Sequence, residues 1–259
     1  MNQQNKIALI TGAAKRVGRV IALQMAAAGW DIAIHYGKSK QDALGLISQI
    51  EELGRRAISI EADLQNPEEV KRILPECVAG LGLPNCLINN AALFEYDEPS
   101  AFKIDLLNAH MQINVAAPLI LSEQFHQLYA DQAWQKNPGV IIHLLDQKLD
   151  NLNPDFFSYT LSKAALEAAM KMQALHFAPR LRVVGIAPGI TMVSGDQSAS
   201  GFVQAHQMTP LQRSSSPEDI AQGIIYICSA TAMTGTTLQI DGGQHLFGSR
   251  RDVMFLTNE

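Results

Sequence analysis

Few of the usual markers of export, metal binding or nucleic-acid binding are present. There are only three cysteines in 259 residues (Cys77, Cys86 and Cys228), an odd number without metal-type spacing. That excludes a disulfide framework and a cysteine metal site, and it fits reduced thiols in a cytoplasmic protein. Charged residues make up only 17% of the chain, and acids outnumber bases 25 to 20, for a net charge of −5. This balance argues against nucleic acid or an anionic membrane as the main partner. No apolar run approaches the roughly 18 residues of a membrane span. The opening MNQQNK runs straight into a strand-like stretch, so no signal peptide is expected. There is no repeat, low-complexity tract or linker, and 1–259 reads as one domain.

What is present is regular alternation. Short apolar strands at 6–10, 31–35, 56–61, 86–89, 140–145, 182–186 and 237–240 are separated by helical patterns, including 15–28, 40–53 and a long one at 102–129. Alternation of this kind predicts an α/β fold with seven parallel strands covered on both faces, a Rossmann-type doubly wound sheet. Gly29 and Gly54 mark helix ends. Asn66-Pro67 starts another helix, and Pro75 is expected to kink or shorten it. Ser216-Pro217-Glu218-Asp219 has the form of a capping box. The stretch 189–209 is the least regular and is expected to be a substrate loop or lid.

Two local patterns carry chemistry. Thr11-Gly12-Ala13-Ala14-Lys15-Arg16-Val17-Gly18 joins the first strand to a helix, where free N–H groups suit a pyrophosphate. Tyr159 and Lys163 lie four residues apart, hence on one helical face. An ammonium beside a phenol is expected to bring the phenol's proton within reach of neutral pH, as a general acid needs. At the end of the second strand, where NAD sites carry an acid, stands Tyr36, followed by Gly37-Lys38-Ser39. With no carboxylate there, and with Lys38, Ser39 and Arg16 available for a 2′-phosphate, NADPH is expected over NADH.

Five features then fall in register: the glycine turn, Asn89-Asn90-Ala91-Ala92, Asn114, Tyr159/Lys163 and Pro188-Gly189. Over nearly its whole length the chain resembles a short-chain dehydrogenase/reductase. The resemblance implies a cofactor site built from Gly12, Lys15, Arg16, Val17, Tyr36, Lys38, Ser39, Ala62, Asp63, Leu64, Asn90, Ala91, Ala92, Pro188, Gly189 and Ile190. Lys163 would hold the nicotinamide ribose, Tyr159 would give the proton, and Asn114 would support Lys163 through water. It also implies pairing of the long helices into a homodimer or homotetramer.

The family's serine position is Asp146, thirteen residues before Tyr159. A carboxylate there repels a developing alkoxide and suits a basic C=N group. Together with Thr-Gly-Ala-Ala-Lys-Arg, His35-Tyr36 and Phe94, this resembles the pteridine reductases. Asp241-Gly242-Gly243-Gln244-His245-Leu246 resembles the chain ends of bacterial dihydromonapterin/dihydrofolate reductases. Phe94, Arg16, Asp146 and Tyr159 would then bind a pterin. The alternatives are a carbonyl or 3-oxoacyl-carrier-protein reductase, or a non-catalytic NADP sensor. No metal is expected.

Overall fold

All seven strands are apolar runs, and β2 (Trp30–Tyr36) and β5 (Gly139–Leu144) are buried at every position. Strands buried on both faces belong in the interior of a parallel sheet. β1 (Lys6–Ile10), β3 (Ala57–Glu61), β4 (Cys86–Asn89), β6 (Leu181–Pro188) and β7 (Thr237–Ile240) complete it, in the order β3-β2-β1-β4-β5-β6-β7. Every neighbouring pair is parallel. The computed structural model describes residues 6–130, 138–193 and 198–257.

The pleat divides the core. Ala8, Ile10, Ile32 and Ile34 pack with α1 (Arg16–Ala27), α2 (Lys40–Glu52) and α8 (Pro217–Ser229). Ile7, Leu9, Leu87 and Ile141 pack on the other face with α3 (Pro67–Leu81), α5 (Ala117–Leu128) and α6 (Phe157–Phe177). Between β1 and β4 the winding reverses, and ligands bind at the carboxyl ends of the strands at such a switch point.

Three expectations about helices need correction. Pro75 does not shorten α3, which runs on to Leu81. A proline at 75 leaves the carbonyl of Lys71 without its helical donor, and the Gln124 side chain on α5 donates to it at 3.0 Å. The helix expected at 102–129 is interrupted: α4 (Ile104–Met111) passes through one π-helical turn (Gln112–Ala116) into α5. The segment 189–209 is not simply a loop, because α7 (Ala199–Gln207) lies within it and is capped by Ser198, whose Oγ accepts from Gly201 N–H at 3.0 Å. The capping box at Ser216 and Asp219 forms as expected.

Candidate active site

The first half of the site is the turn after β1. Gly12 has φ +64°, and Gly18 is so close beneath it that an added Cβ would lie 2.3 Å from the Gly12 carbonyl oxygen. Gly18→Ala is therefore expected to cost about 1–3 kcal/mol and to weaken dinucleotide binding. Thermal melting and cofactor titration of the variant check both effects. Arg16 adopts the left-handed backbone that favours glycine, at φ +53°. Its guanidinium reaches across the cavity mouth and donates to the Val193 carbonyl at 3.0 Å. No side chain caps α1 and its first turn holds no acid, so its N-terminal N–H groups suit a phosphate.

Three side chains fix this turn: buried Thr11 and His35, and half-buried Asn90. Asn90 donates to the Thr11 carbonyl at 2.8 Å and to the Gly12 carbonyl at 3.3 Å, while Thr11 Oγ accepts from the N–H groups of Asn90 and Ala91. His35 Nδ1 accepts from Gly12 N–H at 3.1 Å, which leaves its Nε2–H to donate to the Ala62 carbonyl at 3.1 Å. Burial lowers the His35 pKa to about 4. His143, buried between Asn89 and Gln173, is lowered to about 4 in the same way.

The sign of the resulting pH dependence follows directly. Both folded pKa values lie below the unfolded value of about 6.5, so the unfolded chain binds more protons between pH 6.5 and 4. Their contribution is complete above pH 6.5 and is lost as pH falls towards 4, at up to about 3 kcal/mol per histidine. Denaturant midpoints are expected to fall across this window, and the slope is expected to be shallower in His143→Gln.

The cofactor residues expected from the sequence divide into two groups. Lys38 is exposed, and half-buried Ser39 makes no capping bond at the start of α2, where a phosphate is expected. Lys15 instead pairs with Asp42 at 3.0 Å, and the Leu64 side chain is buried in the core. The expectation that no carboxylate stands near Tyr36 is also corrected. Parallel register sets Glu61 beside it, and the Tyr36 hydroxyl donates to Glu61 at 3.0 Å.

The second half of the site lies at the end of β5. Asp146 is extended and divides its two oxygens: Oδ1 accepts from Lys148 N–H at 2.9 Å, and Oδ2 accepts from the Tyr159 hydroxyl at 2.9 Å. Burial raises the carboxyl pKa against the opposing pull of these donors. Lys163 follows Tyr159 by one turn on α6. Its Nζ donates to the Leu144 carbonyl at 2.6 Å and lies 5.6 Å from the Tyr159 ring centroid. Burial lowers its pKa to about 8. The phenol does not behave as the Tyr–Lys spacing suggests. Burial and the adjoining Asp146 carboxylate push the Tyr159 pKa up, opposite in direction to the shift expected from the Tyr–Lys spacing.

Asn114 stands in the π turn between α4 and α5. It is held inward by the π turn, accepts from Leu93 N–H at 2.8 Å, and donates to the Leu93 carbonyl and to Ser162 Oγ. It makes no direct bond to Lys163 among the described residues. Its visible work is to set the backbone beside Phe94. The Phe94 ring stacks on Phe156 at 4.2 Å and meets Tyr159 edge-on at 4.7 Å.

Arg16, Val17, Phe94, Asp146, Tyr159, Pro188, Gly189 and Ile190 share one cavity of about 240 Å³. Sequence reasoning missed part of its wall: Lys148, Asp252, Val253 and Met254. No period or motif marks these residues. Among the described residues no group of acids, histidines or cysteines is placed to hold a metal, and no helix is long and apolar enough to cross a membrane.

Comparison with known proteins agrees with this geometry. A family model described as enoyl-(acyl carrier protein) reductase matches residues 12–245. Pteridine reductase 1 of Leishmania tarentolae is 30% identical, covering 93% of this chain and 96% of its own length. A 3-oxoacyl-[acyl-carrier-protein] reductase FabG of Staphylococcus epidermidis is 28% identical, covering 93% of this chain and all of its own. Among solved structures, FolM alternative dihydrofolate reductase 1 from Brucella canis, complexed with NADP, superposes with TM-score 0.87 at 32% identity. That match covers 96% of this chain and 97% of the other. The parallel sheet, the glycine turn and the Tyr159–Lys163 pair thus belong to a member of the short-chain dehydrogenase/reductase family.

Proposed function

We propose that the chain is an NADPH-dependent pteridine reductase that converts a 7,8-dihydropterin of the dihydromonapterin or dihydrofolate type to its tetrahydro form. The observation that carries this reading is the carboxylate of Asp146 bonded to the hydroxyl of Tyr159 inside the cavity. The cofactor residues fit: a glycine cradle, an uncapped helix N-terminus, and Lys38 and Ser39 beside the end of β2. When bound, NADPH supplies a hydride to the ring carbon of the C=N bond. The ring nitrogen then needs a proton. The Tyr159 hydroxyl supplies that one proton, and it is aimed by Asp146, which is itself fixed by Lys148 N–H. Protonation makes the C=N bond more electrophilic, and a carboxylate stabilises the positive charge that results. Phe94, covered on one side by Phe156, offers its remaining face to a flat ring.

The FabG relatives favour a second reading, reduction of a 3-oxoacyl thioester by the same Tyr159 and Lys163. Asp146 weighs against it, because the oxygen of a ketone becomes negative during reduction. NADPH consumption with 7,8-dihydropterin and with an acetoacetyl thioester separates the two. Dihydropterin is the expected substrate, and turnover of the thioester alone would overturn the proposal. Assembly as a homodimer or homotetramer through the long helices fits the exposed Met172 and Leu175 on α6 and is read by light scattering.

A further inference from the structure

The C-terminal segment forms one wall of the reaction cavity and is firmly docked there. Asp155, buried just before α6, accepts from Arg251 Nε at 2.8 Å and from Asp252 N–H at 2.6 Å. Lys148 holds the segment from the other side: its Nζ donates to the Asp155 carbonyl at 2.5 Å and lies 3.4 Å from Asp252 Oδ2. Met254 then packs against Phe156 and Tyr159. The result is a second carboxylate, Asp252, lining the same cavity as Asp146, Tyr159 and Phe94.

The proton chemistry described above does not use Asp252. Among the described residues its side chain accepts from Met254 N–H at 3.2 Å and from Lys148 at the long distance of 3.4 Å. A carboxylate offers about four acceptor positions, so about half remain for a ligand. Lys148 also ties the two acids together, since its backbone N–H bonds Asp146 while its ammonium faces Asp252. The cavity therefore presents one carboxylate on the catalytic strand–helix pair and another on the docked tail.

Adjacent N–H donors of an amino-pyrimidinone edge match such a carboxylate, in the two-pronged way a guanidinium does. An edge carrying a second carbonyl in place of the amino group would set oxygen against oxygen.

We propose that Asp252 is a specificity-determining residue that binds the amino-pyrimidinone edge of the substrate ring and so selects 2-amino-4-oxo over 2,4-dioxo heterocycles. This rests on the pteridine reading of the site. Asp252→Asn keeps the size and turn-capping ability of the side chain while removing its charge. The test measures kcat and KM for 7,8-dihydropterin and for its 2,4-dioxo counterpart, 7,8-dihydrolumazine.

Wild type is expected to prefer dihydropterin. Asp252→Asn is expected to lose about 10–100-fold in kcat/KM for dihydropterin, mainly through KM, with the preference shrinking by a similar factor. NADPH affinity and melting temperature are expected to hold. Asp252→Glu, which keeps the charge, is expected to keep the preference, including if the Asn variant loosens the tail. An unchanged preference in Asp252→Asn, or equal losses for the two substrates, would show a docking role only and overturn the inference. If wild type neither binds nor reduces either heterocycle, the pteridine reading itself fails and the inference falls with it.

Discussion

Tyr159→Phe is expected to lower kcat for dihydropterin by about 10³-fold, within the range a positioned general acid contributes, while NADPH still binds. The phenol is the hydroxyl donor bonded to the cavity's carboxylate, at 2.9 Å. Phenylalanine preserves the ring and its edge contact with Phe94, so the pocket wall is retained. What is lost is the donor to Asp146 Oδ2, which leaves a buried acceptor without its partner at a cost of about 1–3 kcal/mol. Steady-state kinetics with a parallel NADPH titration check the separation: turnover collapses and cofactor affinity stays within about twofold.

Asp146→Asn is expected to reduce dihydropterin turnover by about 10²-fold, again without loss of NADPH binding. Asparagine is close in shape and also caps the turn through Lys148 N–H, so the local backbone should survive. It accepts from Tyr159 but neither carries a negative charge nor releases a proton. The loss should appear in kcat more than in KM if the carboxylate acts on charge that develops during reaction. A loss confined to KM would assign Asp146 to binding alone.

The central strands were legible because they are buried on both faces and so remain mostly apolar, and β1, β4 and β7 fall at the expected residues. The Tyr159–Lys163 face was legible from helical spacing. The sign of the Tyr159 shift was not, since it depends on burial and on a carboxylate thirteen positions away. Helix α3 survives Pro75 through Gln124, a partner 53 residues distant, which no local rule exposes. The π turn that aims Asn114 at Leu93 sits in an unbroken helical pattern. Phe156 takes φ +54° before α6, a conformation its residue type does not announce. The cavity wall at Asp252 to Met254 depends on the buried Asp155, nearly a hundred residues earlier. His35 was visible as part of a resemblance, but its bridge from Gly12 to Ala62 exists only once β1, β2 and β3 lie side by side.

On the pteridine proposal the carboxylate of Asp146 directs this site to carbon–nitrogen double bonds, and substrate preference in Asp146→Ser tests that most directly. The measurement is the ratio of kcat/KM for 7,8-dihydropterin to that for an acetoacetyl thioester, in wild type and variant under one set of conditions. The account predicts a ratio that favours dihydropterin in wild type and moves at least about tenfold, roughly 1.4 kcal/mol, towards the thioester in the variant. A ratio that stays the same when the carboxylate is replaced would contradict it.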